Sequence, residues 1–284
     1  MSLASKLPAP EALAGFRIRP PDRRISVNWR ELWQHRELLY FLVWRDLKVR
    51  YKQTVLGVTW AVLQPVLTTV VFTIIFGRLA KLPSDGVPYP VFTLAALLPW
   101  QLFMRAVAGG SQSLVANQNL ITKIYFPRLL IPMASIAGGV VDFGIGLLIL
   151  FGMMIYYGVT PSWAILTLPL FFVLTLVVSL GASLWLAALN VRYRDVAQIL
   201  PFLTQIWFYA TPIAYSISLV PAWLFPFYSL NPMAGVIEGY RLSLFGPVSG
   251  ASTAIWISIA ISIVVLATGL AFFQRVEDTF ADVV

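Results

Sequence analysis

The chain has 284 residues, 59% of them hydrophobic and 11% charged, whereas soluble domains carry about 25% charged residues. This composition excludes a water-soluble globule, and the formal net charge of +8 gathers at the ends of apolar runs, which argues against a nucleic-acid partner. With no cysteine and one histidine, His35, a disulfide framework, thiolate catalysis and an imidazole-rich metal site are excluded as well.

Residues 1–28 are rich in proline and arginine and lack the apolar core of a cleavable signal, so a flexible cytoplasmic tail is expected there. Over 29–52, Trp29, Leu32, Trp33, Tyr40, Val43, Trp44, Leu47 and Tyr51 recur near helical spacing, opposite Arg30, Gln34, Arg45, Lys48 and Lys52. That pattern predicts an amphipathic interface helix. Gaps between charges then bound the membrane spans, since a crossing takes roughly 20 apolar residues. Between Lys52 and Arg78 lie 25 uncharged residues. Spans are predicted at about 54–77, 87–107, 129–156, 163–189, 197–217 and 251–273, with 276–284 as a second cytoplasmic tail. The 42 uncharged residues between Asp195 and Glu238 exceed one crossing and contain Pro212, Pro221, Pro226 and Pro232. Residues 218–247 are therefore expected as a re-entrant hairpin. The fold class is an all-α polytopic membrane protein of six helices, a permease domain over 53–275. With both ends inside, 17 of the 20 lysines and arginines fall on the cytoplasmic side, as the positive-inside rule requires.

A phosphate-cradling loop of the form GxxxxGK[ST] is missing, and none of the five lysines is followed by serine or threonine. ATP hydrolysis, where it drives this chain, belongs to another subunit.

Four blocks stand in order along the chain: WRDLKVRYKQTVLGVTWAVLQP at 44–65, NLITKIYFPRLLIP at 119–132, LNVRYRDV at 189–196 and NPMAGVIEGYR at 231–241. Together with the ending RVEDTFADVV they resemble permease subunits of the ABC transporter type-2 family, nearest to the Wzm-type exporters of O-antigen, capsular polysaccharide and teichoic acid. The resemblance covers about residues 30–284 and offers no role for the extension before Trp29. It implies a homodimer of six-helix permeases in the bacterial inner membrane, bound to two cytoplasmic ATPase subunits that hold the ATP and magnesium. It also implies a polyprenyl-pyrophosphate-linked polysaccharide as cargo, and no cofactor in this chain.

Ser111–Thr122 is a polar, weakly charged stretch between spans two and three. The resemblance makes it a coupling helix, with Asn117, Gln118 and Asn119 docking on the ATPase; by itself the stretch reads equally as a solvated loop. Arg192, Arg194 and Asp195 suit either ATPase contact or positive-inside anchoring. Arg45, Lys48, Arg50 and Lys52 would attract the carrier's pyrophosphate or ordinary anionic headgroups. Asp142, about 12 residues into span three, is expected near mid-membrane as a substrate-pathway group or a hydrogen-bonded packing residue, with no cationic partner evident in another span. Trp207, Phe208 and Tyr209 point three ways around a helix, so one or two of them can stack on sugar rings in a lumen. The hairpin is expected to gate the external mouth, as the resemblance also implies, with Asn231 and Pro232 at its turn. Glu238 and Arg241, three apart, would pair across its outward end. Two other readings remain: export of a drug or small lipid, and a glycan polymerase or ligase, for which Asp85 and Glu238 are the main acids outside the membrane.

Overall fold

The computed structural model describes residues 29–52, 59–246, 251–277 and 280, and every regular element among them is helical. The expected tails, 1–28 and most of 276–284, lie outside the described residues. Two helices come first, α1 (Trp29–Gln34) and α2 (Arg36–Lys52). Next come α3 (Thr59–Phe72), prolonged by a π-helical stretch (Thr73–Leu79), and α4 (Tyr89–Ala116). The short α5 (Gln118–Lys123) leads to α6 (Leu130–Tyr156) and to α7 (Leu168–Arg192), which a 3-10 turn (Trp163–Thr167) introduces. The chain closes with α8 (Val196–Tyr209), α9 (Phe225–Ser229), α10 (Pro232–Phe245) and α11 (Ala251–Glu277).

Five of these are long and apolar enough to cross a membrane: α3 with its π-helical extension, α4, α6, α7 with its 3-10 turn, and α11. The segment expected as a fifth crossing at 197–217 forms only the 14-residue α8. At 1.5 Å per residue α8 is about 21 Å long, short of the ~30 Å hydrocarbon layer. The helix ends at Tyr209, and the chain soon meets Pro212, which has no backbone N–H to donate.

α4 is the axis of the bundle. It is apolar on all sides rather than along one stripe, and every residue from Val91 to Trp100 is buried. Against it pack α6, α7, α10, α3 and α8. Without a hydrophobic force between helices in lipid, close approach at small residues holds such a bundle together. A Cβ on Gly181 of α7 would stand 2.7 Å from the Leu266 backbone of α11, so these two helices touch main chain to main chain. Ser183 Oγ donates to Ala106 O at 2.9 Å, and Asn190 Nδ2 to Ser111 O at 3.0 Å, joining α7 to α4.

A second apolar cluster closes one end. There Leu114, Ile121, Phe126, Leu130, Val191, Phe273 and Phe280 pack together with Leu32, Leu38 and Leu39 of α1 and α2. Arg128 donates its guanidinium to the Glu277 carbonyl and its backbone N–H to the Glu277 carboxylate at 3.3 Å. This is the basic end, carrying Lys123, Arg128, Arg192, Arg194 and Arg275. The leucines of α1 and α2 face the bundle, while Trp29, Trp33, Tyr40, Phe41 and Trp44 are exposed.

Candidate functional site

At the basic end, Ser111–Ala116 continue α4, so the polar stretch expected as one helix over 111–122 is divided. Asn117 makes the division. Its Nδ2 donates to Ser113 O at 2.8 Å, its N–H to the last carbonyls of α4, and its own carbonyl accepts from Leu120 and Ile121. The side-chain amide thus satisfies a helix end that would otherwise lack partners. Asn117 is half-buried, whereas Gln118 and Asn119 on α5 are exposed. Arg192, which ends α7, and Arg194 and Asp195, in the turn before α8, are exposed, with the Arg192 guanidinium 5.5 Å from the Tyr193 ring centre. A cavity of about 290 Å³ opens beside this surface, with Arg45, Asp46, Gln112, Asn117 and Ser135 in its wall. Arg45 binds its neighbour Asp46 at 2.8 Å.

Deeper in, side chains of three elements, α2, α3 and α4, gather at Asp142 of α6. Arg50 of α2 donates to Oδ2 at 2.8 Å and reaches Gly138 O at 3.4 Å. Arg105 of α4 binds the same Oδ2, Tyr51 of α2 donates to Oδ1, and Gln64 of α3 accepts from Arg105 Nη2 at 2.8 Å. The expectation that Asp142 lacks a cationic partner is therefore wrong. Arg50 lies 92 residues away in sequence, and Arg105 lies inside α4. Asp142 stands 12 residues from the first residue of α6 and 14 from its last, and Ala61 at the start of α3 lines the same small space.

Toward the opposite end, α9 and α10 form the limbs of a hairpin. Asn231 is its hinge and the N-cap of α10: Oδ1 accepts from Met233 N at 3.0 Å and from Trp207 Nε1 at 2.8 Å, and Nδ2 donates to Thr211 Oγ1 at 2.9 Å. Pro232 follows at the first helical position, where its missing N–H costs nothing. α10 then runs buried on every side against α4, α7 and α11. Ser258 of α11 donates to Asn231 O at 3.3 Å and accepts from Gly235 N at 3.1 Å. The helix ends at Gly246, whose φ of 96° only glycine adopts without strain.

Glu238 and Arg241 are paired at 2.8 Å, and each side chain is 2% exposed. Arg241 also donates to Ile213 O at 3.2 Å and Tyr215 O at 3.3 Å, and its guanidinium carbon lies 3.6 Å from the Phe92 ring centre. A charged pair buried this deeply survives only with such extra partners. Glu238 is thus no loop acid open to water, which removes the main catalytic carboxylate a glycan polymerase or ligase would have used. Asp85 is exposed and accepts from Ser216 Oγ at 2.6 Å.

The aromatics of α8 divide. Trp207 packs edge-on to Phe103 and Trp100, and Phe208 to Trp100 and Phe72, knotting α8 to α4 and α3. Tyr209 is exposed. Sequence reasoning missed Tyr51, Gln64 and Arg105 at Asp142, and Phe92 beneath Arg241. The one available signal was that Arg50 and Tyr51 adjoin within a block already singled out.

The chain matches the ABC-2 type transporter family over residues 37–245. It is 30% identical over 256 residues to an O-antigen export system permease protein of Myxococcus xanthus, covering 89% of this chain and 97% of that protein. A Klebsiella pneumoniae protein of the same description is also 30% identical, covering 87% of this chain and 95% of its own length. The polysialic acid transport protein KpsM of Escherichia coli is 22% identical over 82% of this chain and 91% of that protein. The match spans α2 to α10 and so includes both charged clusters, and on it the chain belongs to the ABC-2 type transporter family.

Proposed function

We propose that this chain is the membrane permease subunit of an ATP-driven exporter that moves a lipid-linked cell-surface polysaccharide outward across the bacterial inner membrane. The observation that carries the reading is similarity along nearly the whole chain to permeases described as exporting O-antigen, with a transport protein for polysialic acid further off. ATP and magnesium reside on two partner ATPase subunits, and the basic end with both termini faces the cytoplasm, in keeping with the positive-inside rule. The fold carries six crossings, α8 and the α9–α10 hairpin making up the one that is broken.

Gln118 and Asn119, with Arg192, Arg194 and Asp195, contact the ATPase; Asn117 serves by dividing α4 from α5. Arg45, Arg50 and Asp142 lie on the inner part of the substrate path, with Trp207 and Tyr209 further out. Asn231, Pro232, Glu238 and Arg241 belong to the outer gate. The two permease copies meet through faces that include α3 and α8, where Val70, Ile74, Phe202, Ile206 and Tyr209 are exposed.

The test is deletion of this chain alone. Surface polysaccharide should disappear while lipid-linked polymer accumulates inside, and export should return only when this chain and an ATPase subunit are expressed together. Continued surface display would reject the reading. In the purified complex, Gln118→Trp with Asn119→Trp should reduce ATPase assembly without lowering thermal stability; unchanged assembly would reject α5 as the docking element.

A further inference from the structure

The cleft between α2, α4 and α6 holds about 290 Å³ of free space, roughly ten water volumes at ~30 Å³ each, enough for a single sugar ring and too little for a length of polymer. Among the described residues its wall holds two charges, Arg45 and Asp46, and they cancel: Asp46 Oδ1 accepts from Arg45 Nε at 3.0 Å and from Nη2 at 2.8 Å. That leaves Nη1 as a donor and Oδ2 as an acceptor, neither with a partner among the described residues. The rest of the polar wall is neutral, made by Gln112, Asn117 and Ser135, whose side chains both donate and accept. Those of Gln112 and Ser135 have no hydrogen-bond partner among the described residues. A Cβ on Gly109 would overlap Ser135 Oγ, so the bare backbone there keeps that hydroxyl in the wall. Leu42 and Ile131, both buried, supply an apolar side. This lining selects against ions. A phosphate would meet the Asp46 carboxylate and a cation the Arg45 guanidinium, whereas a hydroxyl gives and takes a hydrogen bond and suits all of these groups at once. A sugar ring carries hydroxyls at its edge and C–H groups on its faces, which matches a cleft with a few converging polar groups and an apolar flank.

We propose that this cleft holds one uncharged sugar unit of the lipid-linked polysaccharide before export, with Asp46, Gln112 and Ser135 bonding its hydroxyls. This rests on the exporter reading and adds to it a sugar subsite separate from the carrier's phosphates. Gln112→Met with Ser135→Ala keeps nearly the same bulk and removes two neutral hydrogen bonds, so affinity for the lipid-linked polysaccharide should fall about tenfold. Affinity for polyprenyl diphosphate without sugar should not change. Ala116→Phe, which fills the cleft from the exposed last residue of α4, should weaken polysaccharide binding in the same selective way.

The experiment titrates the full chain with its ATPase partner, in nanodiscs. Its probes are the lipid-linked polysaccharide recovered from cells that lack this chain and polyprenyl diphosphate without sugar, with phosphatidylglycerol as competitor. The double variant decides, and Ala116→Phe takes its place if the double variant does not fold. A loss confined to the sugar-bearing probe supports the proposal. Equal loss for both probes overturns it, since the cleft then reads the carrier, and so does unchanged binding of both. Full competition by phosphatidylglycerol would give the cleft to a lipid headgroup, and lost ATPase assembly in the variant would give it to the protein interface; either result overturns the proposal. The exporter reading fails separately: the wild-type complex would then bind neither probe, and surface polysaccharide would persist in cells without this chain.

Discussion

Arg241 and Glu238 form a pair whose cost and benefit can be measured separately. Removing one partner leaves the other charge buried and unpaired, and Arg241→Met, which strands the Glu238 carboxylate, should cost about 3–5 kcal/mol. The double variant Arg241→Met with Glu238→Gln should recover much of that loss. Thermal unfolding of the purified protein in nanodiscs reads both, and a single variant melting like wild type would show that the pair does not hold the hairpin. This pair was legible in the sequence because its members stand three apart on one helix, where backbone geometry alone brings side chains together. The Asp142 cluster was not legible for the converse reason. Its members come from α2, α3, α4 and α6, and only the packed bundle makes them neighbours.

At the scale of helices, charge gaps located the apolar stretches well and their ends poorly. A gap measures the distance between charges, whereas a helix ends where its backbone bonds end. α4 therefore runs past Arg105 to Ala116 and stops where Asn117 takes over the terminal carbonyls. The break at α8 was visible as prolines, but its shortness depends on where helical geometry fails after Tyr209. A close main-chain contact joins α7 to α11 at Gly181, against the Leu266 backbone. Gly181→Val should drive the two helices apart and destabilise the bundle by 1–3 kcal/mol or more, the range for overpacking, while the same change at Gly152, with open space around it, should be tolerated. Comparing melting temperatures of the two variants decides the point.

For the whole molecule, the absence of cysteine makes sidedness directly measurable. Ser111 is fully buried and unsuited to labelling; Gln118 and Thr160 are exposed at opposite ends. In intact cells Thr160→Cys should react with an impermeant maleimide and Gln118→Cys only after lysis. The reverse pattern would invert the proposed orientation. The general architecture was legible because apolar length and the placement of arginines are properties of the linear chain. The helix-on-helix order around α4 was not, since a helix apolar on every side says that it is central without saying what surrounds it.

The enclosure of α10 has a consequence for how the protein is made. An arginine at the centre of a helix opposes membrane insertion by about 2.5–3.5 kcal/mol on the translocon scale, and α10 carries Glu238 as well. This hairpin cannot settle from the ribosome on its own. It must wait, unsheltered, until α11 has been synthesised and brings Ser258 against Asn231 and Gly235. A nascent chain arrested at Gly246 should therefore be a preferred substrate of membrane proteases, and its half-life in a pulse-chase experiment should lengthen when the α11 segment is supplied as a separate polypeptide.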